Sequence, residues 1–480
     1  MRSTFATPPQ RGRHAGRSSG NLWGRGVASV LAMLYLVLFS TLAVGFAAAT
    51  TMSAQVAGNE RRLHQGQIAA DGGMQFIRYQ LGAITVPAGT TQANLLDAVA
   101  QQLGTQMNTT ANMNGHLVAN TNGTIYIPAS GDWTMIDRST GAGFRVAITQ
   151  SNMNLLVNVT GCGNSTSPNT NITKTIQIQY QGTPKTGTIF NYGIATKGAM
   201  SMSNSVVVGG PRGDVLIETA TATPLNNTAN GTSFSGDLSY TNAGGTNNYS
   251  TMTIDGYNKT QANFSQHVHA GATAPPFPTV DTSGFLQYCT NTYGNTSGGA
   301  SQTLVNTVLN PGNYNFSNST TIKGILYIKT PNKINFSGPV VLQGCIVVEN
   351  NPQGTSATNS LSFTNAVNAT GIDTLPANST FPAGERALTG SVLLAPNFSV
   401  TATNTFGVLS GSMVAGKFTF TNNFTATVYG SILQLDDTPM SFTNTANITM
   451  AALPTPYNPA GLSFGTTYTP QGGSYVELTN

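Results

Sequence analysis

Apolar residues form one uninterrupted run near the start of the chain. No charged side chain occurs between Arg25 and Glu60, and residues 27–49 read VASVLAMLYLVLFSTLAVGFAAA. A helix of this length crosses about 30 Å, which is the thickness of the hydrocarbon core of a membrane. The run therefore predicts a single membrane-spanning helix.

The helical pattern continues beyond the charge-free run. Five apolar residues recur at steps of 7, 4, 3 and 4 positions: Leu63, Ala70, Met74, Ile77 and Leu81. These steps place them on one face of a helix, and no proline interrupts residues 27–86. The pattern predicts one long helix over 27–82, of which the first half crosses a membrane and the second half packs on the next domain.

The charges around the run predict its orientation. Five arginines and no acidic residue lie in the first 25 positions: Arg2, Arg11, Arg13, Arg17 and Arg25. The positive-inside rule assigns residues 1–26 to a cytoplasmic leader and the chain after the run to the outer side of the membrane. A cleaved secretory signal is the alternative, with Ala47, Ala48 and Ala49 as its cleavage site. Its apolar region would span about 7–15 residues, and this run is longer.

Residues 83–186 show a helical pattern followed by strand patterns. Residues 91–107 carry helical periodicity, and strand-like runs follow at 144–149, 155–159 and 172–180. The last run contains the alternation TIQIQY, which is typical of a half-buried strand. This order predicts a small α+β domain in which the long helix lies on an antiparallel sheet.

Short apolar bursts repeat in the second half of the chain. GILYI at 324–328 is echoed 20 positions later by GCIVV at 344–348. GSVLL begins at Gly390, GSMVA at Gly411 and GSILQ at Gly430, at steps of 21 and 19 positions. A single repeat of this size cannot bury its own apolar face, so stacked repeats are expected to share one continuous core.

This period predicts a right-handed β-helix-like solenoid over 301–460, interrupted by a polar loop at 351–387. Residues 187–300 show the same pattern of short apolar runs, but at less regular intervals. We interpret them as an irregular first part of the solenoid together with a crossing loop, the proline-broken segment 274–285. The last residues, 461–480, are predicted to be a C-terminal tail.

Composition favours a mainly β chain. Charged residues make up 8% of the 480 residues, against about 25% in an average soluble domain. Apolar residues make up 39%, and such a mixture suits many short strands joined by polar turns. The formal charge of +4 comes from the leader, since the rest of the chain is nearly neutral. No basic face for a nucleic acid is therefore predicted.

The three cysteines are widely spaced along the chain. Cys162, Cys289 and Cys345 form no CxxC pair, so the sequence supports neither a zinc motif nor a thioredoxin-type motif. At most one disulfide can form between them. Cys345 lies within the apolar run GCIVV and is expected to be buried, which leaves Cys162 and Cys289 as the candidate pair.

Candidate catalytic and metal-ligating residues are few. His267 and His269 would face the same side of a strand, but the sequence shows no third ligand near them. Asp436 and Asp437 follow a strand-like run and precede Thr-Pro, which is typical of a turn. Charges between 301 and 450 do not recur at the repeat interval, so no polysaccharide-cleaving site is predicted. We expect neither an enzyme nor a protein that holds a cofactor or a metal.

The N-terminal region resembles that of type IV pilins and pseudopilins. The likeness lies in a basic leader that ends in Arg25-Gly26, the charge-free helix, the sequence AGNER at 57–61 and the sequence QIAADGG at 67–73. It is most similar to the PilX-type minor pilins and to the K-type minor pseudopilin of type II secretion, and it covers residues 24–80. The order of β-rich segments in the body also resembles that of large PilX-type proteins.

The resemblance implies that a prepilin peptidase cuts after Gly26 and frees the amine of Val27. Ordinary pilins carry a Glu at the position of Leu31, where it pairs with the terminal amine of a neighbouring subunit. Leu31 cannot supply that carboxylate, which suits a subunit at the tip of a filament. The implied partners are a bacterial inner membrane, crossed once with the N-terminus in the cytoplasm, other pilins or pseudopilins, and their assembly machinery.

Other functions stay open at this point. A membrane-anchored adhesin or polysaccharide-binding surface protein would use the same anchor without joining a filament, and its body would bind a surface or a glycan. An enzyme that acts on polysaccharide would need the clustered carboxylates that the sequence does not show. A mature protein that begins at Val27 would favour the pilin, and an intact leader the anchored adhesin.

Overall fold

The computed structural model describes residues 23–87, 90–113, 115–164, 172–294, 297–298, 300–350, 352–454 and 457–478. Residues 1–22 of the predicted leader lie outside this range. The described residues contain the helices α1 (Trp23–Ala83), α2 (Leu95–Met107) and α3 (Ala383–Arg386). Strands dominate the remainder, so the prediction of a mainly β chain behind a long N-terminal apolar helix is confirmed.

An antiparallel sheet and two helices form the first folded body. Its first strands are β1 (Ala119–Thr121), β2 (Thr124–Ile127), β3 (Thr134–Asp137), β4 (Ala142–Ser151), β5 (Asn154–Cys162) and β6 (Thr173–Pro184). They pair in the order β1-β2-β4-β5-β6, with β3 on β4. Alternating apolar residues give β4 and β5 one buried face, and α2 and the second half of α1 contribute to the same core.

Small residues bring α1 unusually close to this sheet. Gly66, Ala69, Ala70 and Gly73 are buried on the helix, and Gly161 on β5 lies opposite them. A Cβ atom at Gly161 would lie 2.1 Å from the backbone oxygen of Gly66 and 2.3 Å from the backbone nitrogen of Ala70. Only glycine therefore fits at this point of β5 while the helix stays in place.

Larger side chains continue the contact toward the end of α1. Met74, Ile77 and Leu81 of the predicted stripe are buried in the core of this body. Leu63, the first member of the stripe, is exposed. Its predicted burial is wrong, because Leu63 does not lie on the face of α1 that meets the sheet, on which Gly66 is the first buried residue.

The second body is a 24-stranded sheet whose described strand pairs are parallel, apart from the β14–β15 hairpin. Its N-terminal strands are β7 (Ile194–Thr196), β8 (Met200–Met202), β9 (Val206–Gly209), β10 (Val215–Ile217), β11 (Leu225–Asn227), β12 (Ser233–Phe234), β13 (Leu238–Tyr240), β14 (Thr253–Ile254), β15 (Tyr257–Asn258) and β16 (Val268–Ala270). A separate short strand, β17 (Thr279–Val280), follows.

The remaining strands of this sheet are β18 (Asn291–Tyr293), β19 (Ser297–Gly298), β20 (Gln302–Leu309), β21 (Gly312–Phe316), β22 (Thr320–Ile328), β23 (Asn332–Phe336), β24 (Val340–Val348), β25 (Ser360–Phe363), β26 (Val367–Thr370), β27 (Gly390–Leu409), β28 (Gly411–Val428), β29 (Ile432–Gln434), β30 (Met440–Phe442) and β31 (Ala446–Met450). We call this 24-stranded sheet the parallel stack.

The order of strands in the parallel stack differs from their order in the chain. β7, β8 and β9 pair on one side with β10, β11 and β12, and on the other side with β29, β30 and β31. The chain therefore enters the stack in its middle and builds outward to β16. It then crosses to the opposite end at β18 and builds inward until β29 meets β7.

The repeats seen in the sequence are stacking neighbours. The GILYI burst on β22 pairs residue for residue with the GCIVV burst on β24, with Gly324 opposite Gly344. In the same way Gly390 on β27 lies opposite Gly411 on β28. Equivalent side chains are thus superposed from strand to strand, and alternate ones, such as Leu326 and Ile346, join one apolar core along the stack.

Aromatic side chains form a column inside this core. The rings of Phe316, Phe336 and Phe363 are nearly parallel, with centroids 4.8 Å and 5.3 Å apart. Phe420 and Phe442 repeat the arrangement further along, at 4.8 Å. Each of these rings is buried and lies on a different strand, so the column links successive layers of the stack.

Two further sequence predictions need correction. Residues 351–387 are not a single loop, because β25 and β26 lie within them and pair with β23 and β24. Their apolar residues Leu361, Phe363, Val367 and Ala369 alternate and are buried in the stack core. The polar residues between them are typical of a loop and hid this alternation.

Residues 461–478, the described part of the predicted C-terminal tail 461–480, are also not a tail. They contain β32 (Leu462–Ser463), which pairs with β17, and β33 (Thr466–Pro470) and β34 (Val476–Leu478), which both pair antiparallel with β6. Tyr468 on β33 is buried in the core of the first body. The parallel stack is therefore inserted between two strands of one antiparallel sheet.

We predict that Phe418→Asp lowers the free energy of unfolding by about 4 kcal/mol, because it buries an unpaired charge and leaves a cavity. Phe418 is fully buried, whereas its neighbour Thr419 is partly exposed. Thr419→Asp is the matched control, and its cost should stay near 1 kcal/mol. Urea unfolding of both variants measures the difference. Equal stability of Phe418→Asp and the wild type would mean that residues 411–428 are not packed.

A second prediction follows from the close approach of α1 to β5. Gly161→Ala should lower the free energy of unfolding by about 1–3 kcal/mol, because the added methyl group overlaps helix backbone. Gly82→Ala is the control, since a Cβ atom at Gly82 meets nothing within 4 Å. That change should be neutral or stabilising by up to about 1 kcal/mol. Thermal unfolding compares the two variants with the wild type. If Gly161→Ala unfolds at the same temperature as the wild type, the close contact between α1 and β5 is contradicted.

Candidate functional site

The first half of α1 has no protein partner among the described residues. All side chains from Val27 to Ala57 are exposed, although most are apolar. Within the described residues, α1 is the one helix that is long and apolar enough to cross a membrane. Its length and composition are compatible with single-pass membrane anchoring.

Several hydroxyl groups of this segment donate hydrogen bonds to carbonyl oxygens of the helix itself. The hydroxyl groups of Ser40 and Thr41 donate to the carbonyl oxygens of Val37 and Leu38, each at 2.9 Å. Thr51 donates in the same way to Ala47 at 2.7 Å. A helix can carry these hydroxyl groups into an apolar medium in this manner, because each of them has an acceptor on the helix backbone.

The residues singled out for leader processing and subunit pairing lie at the start of α1. The peptide bond between Gly26 and Val27 falls within the first turns of the helix, and Leu31 lies about one turn further. The side chains of Val27 and Leu31 are exposed and make no contact with the rest of the chain's core. Both positions are thus available to partners outside this subunit.

The parallel stack carries a cluster of histidine and aspartate side chains near its β16 end. Asp237 directly precedes β13, and Asp255 lies at the turn of the β14–β15 hairpin. His267 directly precedes β16, and His269 lies on it. Parallel pairing of β13 with β16, which sets Ser239 opposite His269, brings Asp237 to the two histidines, and the β14–β15 hairpin adds Asp255.

Asp237 holds the centre of this cluster. Its Oδ1 atom lies 2.8 Å from Nδ1 of His267, and its Oδ2 atom lies 2.9 Å from Nε2 of His269. The same Nδ1 atom of His267 lies 3.3 Å from Oδ2 of Asp255. The His267 ring also stacks on Tyr257, with centroids 4.9 Å apart, so its orientation is fixed. Asp237, Asp255 and His267 place three potential metal-ligand atoms within 4.8 Å of one another.

Asp237 and Asp214, which precede the paired strands β13 and β10, differ in the direction of their pKa shifts. Burial acts to raise the pKa of Asp237, but hydrogen bonds from His269 and His267 outweigh it, and the pKa lies below its usual value. Asp214 precedes β10, and its Oδ1 atom accepts the backbone N–H of Asp237 at 2.7 Å. Burial raises the pKa of Asp214. The carboxylate form is therefore favoured at Asp237 and disfavoured at Asp214.

Open cavities border this region. A cavity of about 610 Å³ is lined by Asp214, Asp237, His269 and the crossing segment at Pro275. A second, of about 940 Å³, is lined by Lys197, Glu218, a run of Thr and Asn side chains, and Asp437. Both are open surface grooves of the parallel stack, and their linings combine polar side chains with apolar atoms.

The other sequence candidates are not brought together. Asp436 and Asp437 lie in the connection between β29 and β30, which agrees with a turn. The disulfide considered between Cys162 and Cys289 is not formed, and all three cysteines are free thiols. Cys162 is buried on β5 of the first body, whereas Cys289 lies beside the parallel stack, where its Sγ atom is 4.0 Å from the carbonyl oxygen of Ile325. Burial raises the pKa of Cys289 to about 12.

Sequence reasoning missed two members of the histidine cluster. It found His267 and His269 but no third ligand, because Asp237 and Asp255 lie 30 and 12 positions before His267. The distances between the strands β7, β10, β13 and β16 along the chain are irregular, so no repeat marks which residues become neighbours. The alternation His-x-His was the one available signal.

Comparison with solved structures finds chains that align with this one, and a pilin is among them. No protein-family profile matches the chain, and no curated protein matches its sequence. Among solved structures, the competence-associated pilin ComZ from Thermus thermophilus aligns with 87% of this chain and 98% of its own, at 11% identity and a TM-score of 0.23. The alignment is broad in extent and low in both backbone agreement and sequence identity.

Proposed function

We propose that this chain is a structural subunit of a type IV pilus or a type II secretion-like filament. In this proposal it is a PilX-like minor pilin without catalytic activity, anchored in a bacterial inner membrane with residues 1–25 in the cytoplasm. The observation that carries it is the division of α1. One half is exposed and apolar, and the other half is docked on an antiparallel sheet without any break between them.

The exposed half of α1 needs a non-aqueous partner. An apolar helix that is fully exposed to water is unfavourable. A lipid bilayer would surround this half of α1 before assembly and keep its apolar side chains out of water. Within a filament, the equivalent helices of neighbouring subunits would replace the lipid. The docked half connects the exposed half rigidly to the first body, because Met74, Ile77 and Leu81 are buried in the core of that body.

The parallel stack supplies the displayed body of the proposed subunit. We infer that it is a β-helix, since successive strands pair in parallel at steps of 20 residues between β22 and β24 and share one core. Its open grooves, in which Thr, Asn and charged side chains lie beside apolar atoms, suit contacts with a surface, a glycan or a partner protein. A membrane-anchored adhesin is the alternative function, and it differs in that the helix never leaves the membrane.

Leader removal is the first test of this proposal. We expect the mature protein to begin at Val27 and Gly26→Leu to block that cleavage, because a bulky side chain at the cut position would exclude the chain from a peptidase. Membrane insertion should persist, since the apolar run is unchanged. Mass spectrometry of the intact protein from membranes measures both.

Gly45→Leu is the matched control for this test. Gly45 lies in the same helix, and a Cβ atom there meets nothing within 4 Å, so this variant should be processed like the wild type. A shortened product from Gly26→Leu would contradict the pilin proposal. An intact leader in the wild type would favour the anchored adhesin.

Replacing Leu31 with Glu tests whether the subunit lies at the tip of the filament. Leu31→Glu should cost about 3 kcal/mol within the membrane if the new charge is unpaired. A neighbouring N-terminal amine in a filament would recover much of this cost. We therefore expect Leu31→Glu protein to be found along the shaft of sheared filaments, by immunolabelling, whereas the wild type is found at the tips.

Leu38→Glu is the control, because it places the same charge about two helical turns beyond position 31. This variant should lose membrane insertion without any gain of label along the shaft. If Leu31→Glu behaves in the same way as Leu38→Glu, position 31 has no pairing role in this chain.

A further inference from the structure

We propose that Asp237, Asp255 and His267 form a binding site for a divalent transition-metal ion, with Zn²⁺ as the best fit, and that His269 supports it from the outer side. The site would fasten the terminal strand β16 to the preceding layer of the parallel stack. This role is separate from filament assembly and does not depend on it.

The geometry of three converging donor atoms carries the proposal. Nδ1 of His267 lies 2.8 Å from Oδ1 of Asp237 and 3.3 Å from Oδ2 of Asp255. Ligand atoms bound at about 2.1 Å to a tetrahedral zinc ion lie about 3.4 Å apart. The His267–Asp255 distance already matches this value. The His267–Asp237 distance is that of a direct hydrogen bond and needs to open by about 0.6 Å.

A single proton does not satisfy this arrangement. Nδ1 of His267 carries at most one hydrogen, yet two carboxylate oxygens face it. One of the two facing carboxylate oxygens therefore receives no hydrogen bond from the His267 ring when no cation is bound. A divalent ion would accept a lone pair from all three atoms at once, and the proton of Nδ1 would pass to solvent.

His269 fits the role of an outer support. Its Nε2 atom lies 2.9 Å from Oδ2 of Asp237, on the oxygen that does not face His267. Contacts between imidazole and carboxylate groups behind a ligand are typical of protein metal sites, because they fix the ligand's orientation. The ring of Tyr257 stacks on the His267 ring and so also fixes the orientation of that ligand.

The donor set selects the class of metal. One imidazole nitrogen with two carboxylate oxygens suits Zn²⁺ and related transition metals, whereas Ca²⁺ takes six to eight oxygen ligands. The side chains of His267, Asp237 and Asp255 are partly exposed. An ion can therefore reach them from solvent, and water can complete its coordination.

The position of the three ligands explains what the ion would do. They come from three separate segments, before β13, at the β14–β15 turn and before β16. β16 pairs with β13 and is the last strand at its end of the stack. A bound ion would join these segments and so resist fraying of the exposed end.

Equilibrium dialysis of the full chain in detergent against Zn²⁺, after treatment with a chelator, tests the site. We expect one ion per chain for the wild type and at least tenfold weaker binding for His267→Ala and Asp255→Asn. His269→Ala should weaken binding by about 10- to 100-fold, as loss of an outer partner does. Zn²⁺ should also raise the temperature of unfolding of the wild type and not that of His267→Ala.

His116→Ala is the matched control. His116 also faces a carboxylate, Asp132, at 3.6 Å, but it has one such partner and lies in the first body. Its loss should leave Zn²⁺ binding unchanged, and circular dichroism verifies that every variant remains folded. The proposal is overturned if the wild type binds no Zn²⁺, or if His267→Ala binds it as tightly as the wild type. Neither result bears on whether the leader is cleaved or a filament forms.

Discussion

The meeting of β7 with β29 is the contact on which the rest of the structure depends. These strands are separated by more than two hundred residues in the chain, yet they pair in parallel from Ile194 opposite Ile432 onward. Arg212 reinforces the junction, because its guanidinium group donates to the carbonyl oxygens of Gly430, at 2.7 Å, and of Phe190 and Tyr192. Without this pairing, both halves of the stack would expose an additional unpaired layer.

The same junction explains why the chain order is permuted in the stack. Both connections to the first body must leave from neighbouring layers, since β6 and β33 pair with each other. A stack built strictly in chain order would place its first and last layers at opposite ends. Entry in the middle, with one crossing segment over the outside, brings the two connections together. Phe285 and Val280 of that crossing segment belong to the apolar cluster on the outer side of the strands.

The sequence predicted the parts of this fold in which equivalent residues recur. The bursts at Gly324, Gly344, Gly390 and Gly411 are visible because each layer uses nearly the same residues at nearly the same spacing, and they prove to be stacking partners. Layers β7 to β16 have irregular spacing, so neither their stacking on β29 nor the approach of Asp237 to His267 was predictable. Periodicity reports local structure, whereas these contacts are set by the path of the whole chain.

Insertion of the stack into an antiparallel sheet determines how it is held. A domain on a single linker can rotate about that linker, whereas the stack is joined to the first body by two chain segments. Phe190 on one segment packs edge-to-face on Phe464 of the other, with centroids 5.5 Å apart. The segment after Phe464 continues into β33, which pairs with β6 and also bridges to Val86 just beyond α1. A load applied to the stack is thus carried by two strands of the sheet onto which Gly66, Ala70 and Ile77 of α1 are docked.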